Sequence, residues 1–445
     1  MDFVNLLPAF GGLVWTLLAF VVALSIIVAV HEYGHYIVGR WSGIHAEVFS
    51  LGFGPVVYSR IDKRGTRWQL AALPFGGFVK FLGDADAASG KDGKKMSTLS
   101  EAELRRTMHG APLWARAATV AAGPMFNFLL SIVVFMGLFL SFGVATKLPI
   151  IGSMKPLPFE GQSLLPGDQI LSVAGLDTPD FDTFVKATKD LPATSTVDYL
   201  VQRAGEKVNV AGPYPFPPVA DGVQPRSAAS DAGIKAGDVI LAVDGKPVSA
   251  FEQVRTAVGA SDGKPLQFKI WRDGAAFDTS MTPQRRDLPK DGGGFETRWL
   301  IGLSGGLMFA PELRTPGLFE SISMAGQETW KAGTTNLSFL WNIVIGNVST
   351  CNVSGPIGIA KVSGDAARQG IDSFIMLIAL LSTSVGLLNL FPIPVLDGGH
   401  LVFHAFEAIT GKPPSDRALR VLMGIGLTAL LGLMAFALTN DLFCP

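Results

Sequence analysis

The chain has 445 residues, 48% of them hydrophobic and only 16% charged, with a formal net charge of −1. Soluble domains carry roughly a quarter charged residues, so the apolar excess has to be gathered into membrane spans. The balanced charge excludes a global field for nucleic acid, and two cysteines, Cys351 and Cys444, are too few for a disulfide framework or a cysteine zinc site.

The first apolar run, 13–38, is long enough to cross a bilayer. No Lys or Arg precedes it, so it lacks the basic start of a cleavable signal and is read as a permanent span. Inside it lies His31-Glu32-Tyr33-Gly34-His35. Two imidazoles four residues apart share one face of a helix, and the adjacent Glu is placed to act as a general base. Ionisable groups at that depth are costly and mark function, so the motif points to a metalloprotease with its site inside the membrane.

A loop rich in Lys and Arg follows, from Arg40 to Arg116. It contains the apolar, Gly-rich stretch 69–81, too short and broken to span, which is read as a re-entrant hairpin beside the site, with a cytosolic hairpin as the alternative. The second span is 117–142. The two remaining spans, 374–391 and 421–438, flank a loop with Lys412, Arg417 and Arg420. The positive-inside rule places both basic loops in the cytoplasm, and both termini and the long segment 146–370 outside. It also brings the HEYGH motif and Asp397, just past the third span, to one depth.

The external segment repeats itself. Gly167-Asp168-Gln169-Ile170-Leu171 matches Gly237-Asp238-Val239-Ile240-Leu241, Phe181 matches Phe251, and Arg203-Ala204-Gly205 matches Arg272-Asp273-Gly274 with a one-residue slip. Two copies of a small β-rich module with one or two helices follow, joined by the Pro-rich stretch 212–218. Residues 315–348 mix Trp330, Trp341 and Phe339 with polar side chains, the pattern of a helix at the outer membrane interface; a soluble helix packed on the second module is the alternative. Cys351 and Cys444 both fall outside, where a bridge between them is allowed but not required.

A catalytic zinc takes three protein ligands and leaves one position for water. His31 and His35 supply two. The stretch 389–400 breaks an apolar run with Pro392, Pro394, Asp397, Gly398 and Gly399, as a site at a broken helix needs, and Asp397 is the best third ligand. His400 and His404 are the competing ligands on the same segment. Glu32 is the base that takes a proton from the attacking water.

HEYGH in a first span, Gly123-Pro124-Met125-Phe126-Asn127 in a second and Asn389-x-x-Pro-x-Pro-x-Leu-Asp-Gly ending a third resemble the site-2 protease family of intramembrane zinc metalloproteases over essentially the whole chain. The resemblance implies a polytopic α-helical membrane protein of four transmembrane helices, with a membrane-reentrant β-loop and two tandem periplasmic PDZ domains, in a bacterial inner membrane. It divides the chain into 1–145 (first two spans and re-entrant loop), 146–212 and 213–312 (the PDZ domains), 313–370 (amphipathic region) and 371–445 (last two spans). It implies one zinc ion held by His31, His35 and Asp397, with Glu32 catalytic, and substrate handled by Asn389 and by the loop residues Phe75, Gly76, Gly77 and Phe78. The implied partners are the bilayer and single-span membrane substrates, an anti-sigma factor or signal-peptide remnants, with no nucleic acid. The PDZ pair would act as a steric size filter or, alternatively, capture a new C-terminus. A zinc-binding PDZ scaffold without proteolysis and a metal or proton transporter are the competing functions; three ligands plus a Glu argue against the closed site of the first, and four spans without internal repeat against the second.

Overall fold

The computed structural model describes residues 7–85, 92–159, 161, 163–189, 191–224, 227–289 and 295–443. Over these the chain falls into two compact units, one formed by 7–138, 318–341 and 353–443 and the other by 139–317 and 342–352. Among the described residues four helices are long and apolar enough to cross a membrane, at Gly12–Trp41, Leu113–Phe142, Ile371–Asn389 and Arg417–Phe443, so the chain is a multi-pass membrane protein.

The first unit begins with helix α1 (Leu7–Trp41), which Gly43 at φ +85 ends by turning the chain into strand β1 (Ala46–Ile61). Strand β2 (Arg67–Phe81) follows. Both strands are bent. Residues 46–51 pair antiparallel with 77–81 (Leu51 opposite Gly77), and 53–61 pair antiparallel with 67–73 (Ile61 opposite Arg67). Residues 48–51 also lie beside 67–70, so the segments run in the order 53–61, 67–73, 46–51, 77–81 and leave 77–81 at an edge. Gly52 makes the bend: its φ is +86, and a Cβ there would come 2.6 Å from the Leu73 carbonyl oxygen. The stretch 69–81 is therefore β structure as expected, but its partner is the preceding segment 46–61 rather than itself. Helix α2 (Leu113–Phe142) carries Pro124 in its interior.

The second unit holds the two repeats. In the first, β3 (Ile151–Met154) leads into β4 (Gln169–Val173), β5 (Leu176–Asp177), helix α3 (Phe181–Lys189), β6 (Val197–Arg203) and β7 (Glu206–Gly212). In the second, β8 (Ala220–Val223) leads into β9 (Val239–Val243), β10 (Lys246–Pro247), helix α4 (Phe251–Gly259), β11 (Leu266–Arg272) and β12 (Ala275–Met281). The sheets have one order, β5-β4-β6-β7 and β10-β9-β11-β12, all antiparallel, with register shifts at Ile170/Ser172 and at Ile240/Ala242. These β-rich parts are compatible with PDZ domains. Each repeat closes its own core, around Ile170, Phe184, Tyr199 and Val201 in one and Ile240, Val254, Phe268 and Ile270 in the other.

The chain then returns. β13 (Leu303–Gly305) pairs with β8, and β14 (Phe309–Pro311) pairs with β3. Met308 and Phe309 are buried in the core of the first repeat. The expected boundaries at 212 and 312 describe two contiguous modules; the observed first module is completed by a strand from the far end of the second. Cys351 is disulfide-bonded, and Cys444 lies outside the described residues.

The first unit resumes with α5 (Leu318–Val344), the amphipathic helix expected over 315–348. Asn336 Nδ2 donates to Ser384 Oγ at 2.8 Å, while Trp330 and Trp341 stay exposed. Helix α6 (Pro356–Gln369) was not anticipated. It packs on α1 through small residues, with Gly364 close against Thr16, and Asp441 accepts the N–H groups of Gly355 and Gly358 at its start. Helices α7 (Ile371–Asn389), α8 (Asp397–Thr410) and α9 (Asp416–Phe443) complete the unit.

Candidate metal centre

His31, Glu32 and His35 project from the last third of α1. Opposite them α2 presents Gly123, and the reason for a glycine is steric: a Cβ there would run into the His35 ring and come 2.8 Å from His31 Cε1. One residue on, the Pro124 carbonyl oxygen sits 3.0 Å from where a Cβ on Gly386 of α7 would lie, so α2 and α7 approach closely. Asp397 is the first residue of α8. The chain doubles back to place it there. A Cβ on Gly398 would strike the carbonyls of Leu390 and Phe391, and one on Gly399 the carbonyl of Ile393, which accounts for the paired glycines after the acid.

The three side chains converge. His31 Nε2 is 3.1 Å from Asp397 Oδ2, His35 Nε2 is 3.5 Å from Asp397 Oδ1, and the two Nε2 atoms are 3.2 Å apart. Donors on one tetrahedral ion at about 2.05 Å stand about 3.3 Å apart, so these separations fit a shared metal. Asp397 Oδ2 is buried without a hydrogen-bond partner among the described residues, as a ligand atom awaiting an ion would be. These three form the one His, Cys, Asp and Glu group among the described residues whose atoms all lie within 4.8 Å of one another. His400 and His404 fall outside it. Both imidazoles are pulled below their ordinary range by burial first, with Arg116 adding to the effect on His404, which is held at about 4.

The supports of the histidines come from α2. His35 Nδ1 donates to the Thr119 carbonyl at 2.8 Å, which leaves Nε2 as the lone-pair nitrogen facing Asp397. The Asn127 amide lies 3.2 Å from His31 Nδ1, fully buried, and its Oδ1 has no hydrogen-bond partner among the described residues. Turning the amide so that Oδ1 accepts from Nδ1–H satisfies that oxygen and frees His31 Nε2 in the same way. Residue patterns alone gave no role to Thr119 or Asn127; a backbone acceptor carries no sequence signal, and Asn127 stood only as a letter in the second-span motif.

The edge segment 77–81 meets this cluster. The Val79 N–H hydrogen-bonds the Glu32 carboxylate, and a Cβ on Gly77 would come 3.1 Å from Glu32 Cγ and 2.8 Å from the Ser50 carbonyl oxygen. Gly76 adopts φ +107 against the Phe53 ring, and Phe78 stacks on Phe53 with centroids 6.0 Å apart. Phe75 lies on β2, and its side chain is outside the described residues. Asn389 is the half-buried last residue of α7; none of the contacts described above brings it to the cluster.

Comparison with known proteins gives the family. The profile of peptidase family M50 matches residues 19–433. A Rhizobium meliloti protein that bears the name zinc metalloprotease is 37% identical over 433 residues, 97% of each chain. A Brucella suis protein of the same name is 34% identical over 439 residues, 97% of this chain and 96% of its own. The regulator of sigma-E protease RseP of Salmonella typhimurium is 34% identical over 461 residues, 97% of this chain and 99% of its own. Matched along nearly its whole length, the chain belongs to peptidase family M50, the site-2 proteases.

Proposed function

We propose that this zinc metalloprotease cuts single-span membrane proteins inside the bilayer, with His31, His35 and Asp397 as the zinc ligands and Glu32 as the general base. The observation that carries the reading is the convergence of the three ligand atoms, within 4.8 Å of one another, two of them on a helix long enough to span. Zinc bound there supplies Lewis-acid polarisation of the scissile carbonyl and acidifies the attacking water. Glu32 takes the proton of that water and delivers it to the departing amine. Thr119 and Asn127 hold the imidazoles in the tautomer that presents Nε2.

A peptide bond in a helix is shielded by its own hydrogen bonds, so a substrate span has to be extended before attack, and its freed N–H and C=O groups need partners. The unpaired side of 77–81 lies beside Glu32 and provides them by strand addition, with Gly76, Gly77, Phe75 and Phe78 along the approach. Asn389 at the end of α7 is assigned to substrate handling by resemblance alone. The two repeats are assigned as PDZ domains acting as a size filter, with 1–145, 146–212, 213–312, 313–370 and 371–445 as working divisions. The basic loops support, by the positive-inside rule, a periplasmic side for the repeats and both termini and a metal centre toward the cytoplasm. One relative is named a regulator of sigma-E, and by analogy the substrate class is a membrane anti-sigma factor, with signal-peptide remnants second.

The test compares wild type with Glu32→Gln in detergent on a truncated single-span substrate, with and without chelator, and with zinc content measured in parallel. Glu32→Gln is expected to keep wild-type zinc and lose at least about 10²-fold in cleavage, and zinc is expected to restore chelated wild type. Cleavage by the Gln variant at the wild-type rate would remove Glu32 from the chemistry.

A further inference from the structure

A cavity of about 280 Å³ opens where α1 ends, less than two turns beyond His35. Tyr36, Arg40, His45, Arg64, Thr66 and Arg106 line it. They come from α1, from the connection to β1, from the turn between β1 and β2, and from the segment before α2. Among the described residues none of the three guanidiniums is in an ion pair. The acids nearby form no ion pair with these guanidiniums among the described residues. Asp62 accepts the backbone N–H of Arg64 and Thr66 at 2.8 and 3.0 Å, the Trp68 indole at 3.3 Å and the Tyr36 hydroxyl at 3.4 Å. Glu47 pairs with Lys95, and Glu103 takes Ser100. The one donor that Arg40 spends goes to Tyr36 Oη at 3.0 Å. Burial first, and then the Arg106 charge, hold the His45 imidazole below its ordinary range against the opposing pull of Glu47 and Asp62.

Depth supplies the second constraint. Trp41 is 74% exposed beside Arg40, and Trp114 is 66% exposed at the start of α2, which leaves from the same side of the membrane. Exposed Trp at the ends of spans marks the headgroup layer, and basic pockets at that level bind lipid headgroups. Guanidinium forks match phosphate oxygens in geometry as well as charge.

We propose that this cavity is a phosphate-ester site, formed by Arg40, Arg64 and Arg106 and filled by the headgroup of an anionic glycerophospholipid. The bound phosphate ties the β1–β2 turn, through Arg64, to the end of α1, through Arg40. The β sheet whose far edge meets Glu32 is thereby anchored to the helix that carries the histidines.

The full-length protein in detergent is titrated with phosphatidylglycerol, with phosphatidylcholine and with glycerol 3-phosphate, and followed by thermal unfolding and by native mass spectrometry of retained lipid. Variants are the triple Arg40→Gln, Arg64→Gln, Arg106→Gln and a control, Arg417→Gln with Arg420→Gln, which removes charge near the same headgroup layer but outside the cavity. Phosphatidylglycerol and not phosphatidylcholine is expected to raise Tm and remain bound, at least about tenfold more weakly in the triple variant and unchanged in the control. If glycerol 3-phosphate reproduces the wild-type shift and loses it in the triple variant, the site stands with a soluble ester as its ligand. A triple variant that responds to phosphatidylglycerol as wild type does overturns the proposal. Should the triple variant fail to fold, Arg106→Gln alone, on an exposed side chain, decides it: about a threefold weaker response supports the site, and an unchanged one removes it.

Discussion

At the residue scale the centre is a set of tautomer choices made by neighbours. Nε2 of His35 is fixed as an acceptor because Nδ1 donates to the Thr119 carbonyl, and no side-chain substitution removes that partner. Nε2 of His31 depends on Asn127, whose amide faces Nδ1 at 3.2 Å. Asn127→Leu therefore leaves Nδ1–H unpaired in a buried site and lets the ring take the wrong tautomer. Zinc affinity is expected to fall about 10- to 100-fold, while Asn127→Asp, which keeps an acceptor, is expected to stay close to wild type. Chelator competition on the purified proteins checks this, and equal affinity for all three would leave Asn127 a packing residue. The residues proposed here were legible: HExxH pointed to His31 and His35 as ligands and Glu32 as base by spacing, and the broken span pointed to Asp397. Thr119 and Gly123 were not legible from residue patterns, because one contributes a backbone oxygen and the other the absence of a side chain.

At the element scale the repeat explains itself once folded. Asp168 and Asp238, each 1% exposed, are held the same way. Asp168 accepts Leu165 N–H and both donors of Arg203, and Asp238 accepts Lys235 N–H and both donors of Arg272. The Gly-Asp and Arg-x-Gly matches in the sequence are thus the two halves of one ion pair, which pins the loop before the first strand of each sheet to the end of its third. Burial raises the Asp168 pKa, but the hydrogen bonds and charge of Arg203 and the Leu165 N–H outweigh it, so the carboxyl lies below its ordinary range. A depressed carboxylate contributes stability above its unfolded value, about 3.9, and loses it as pH falls through the folded value. Asp168→Asn is expected to cost about 1–3 kcal/mol at pH 7 and to converge with wild type at acid pH. Melting curves of both from pH 7 to 3 test this, and a gap that stays constant with pH would contradict the pair's role.

The same comparison exposes a local flaw. The β6–β7 turn puts Ala204 at φ +49 before Gly205, where the second repeat has Asp273 at φ +49 before Gly274. Ala disfavours that region more than Asp does, so Ala204→Asp is expected to stabilise the first repeat by about 0.5–1 kcal/mol, read as a higher urea midpoint. An unchanged or lower midpoint would mean that the added carboxylate is repelled or unsatisfied there. Elements whose signal is apolar period or turn chemistry were readable in this way. Helix α6 was not, because its packing face is Gly358, Ala360, Ser363 and Gly364, small residues that register as neither helix nor core by hydropathy.

At the scale of the whole molecule the two repeats are one body. The return strand passes through both: β13 pairs with β8, β14 with β3, and Leu313–Arg314 with Val144–Ala145. Tyr199 Oη reaches the Met308 sulfur at 3.7 Å inside the first repeat. If the repeats act as the proposed size filter, they can be removed only as a whole. Excising 146–212 alone leaves Met308, Phe309 and the edge of β14 without partners, and that variant is expected to aggregate or be degraded in the membrane. Excising 144–314 instead cuts where the chain enters and leaves side by side, so a short Gly-Ser linker closes the gap at little entropic cost. This variant is expected to keep its zinc and to cut a single-span substrate that still carries a folded external domain, which full-length protein leaves intact while cutting the trimmed form. Rates on both substrates, beside membrane yield for each deletion, separate the alternatives. If full-length protein cuts both substrates equally, the repeats do not exclude by size, and their role shifts to holding a chain end after the first cut.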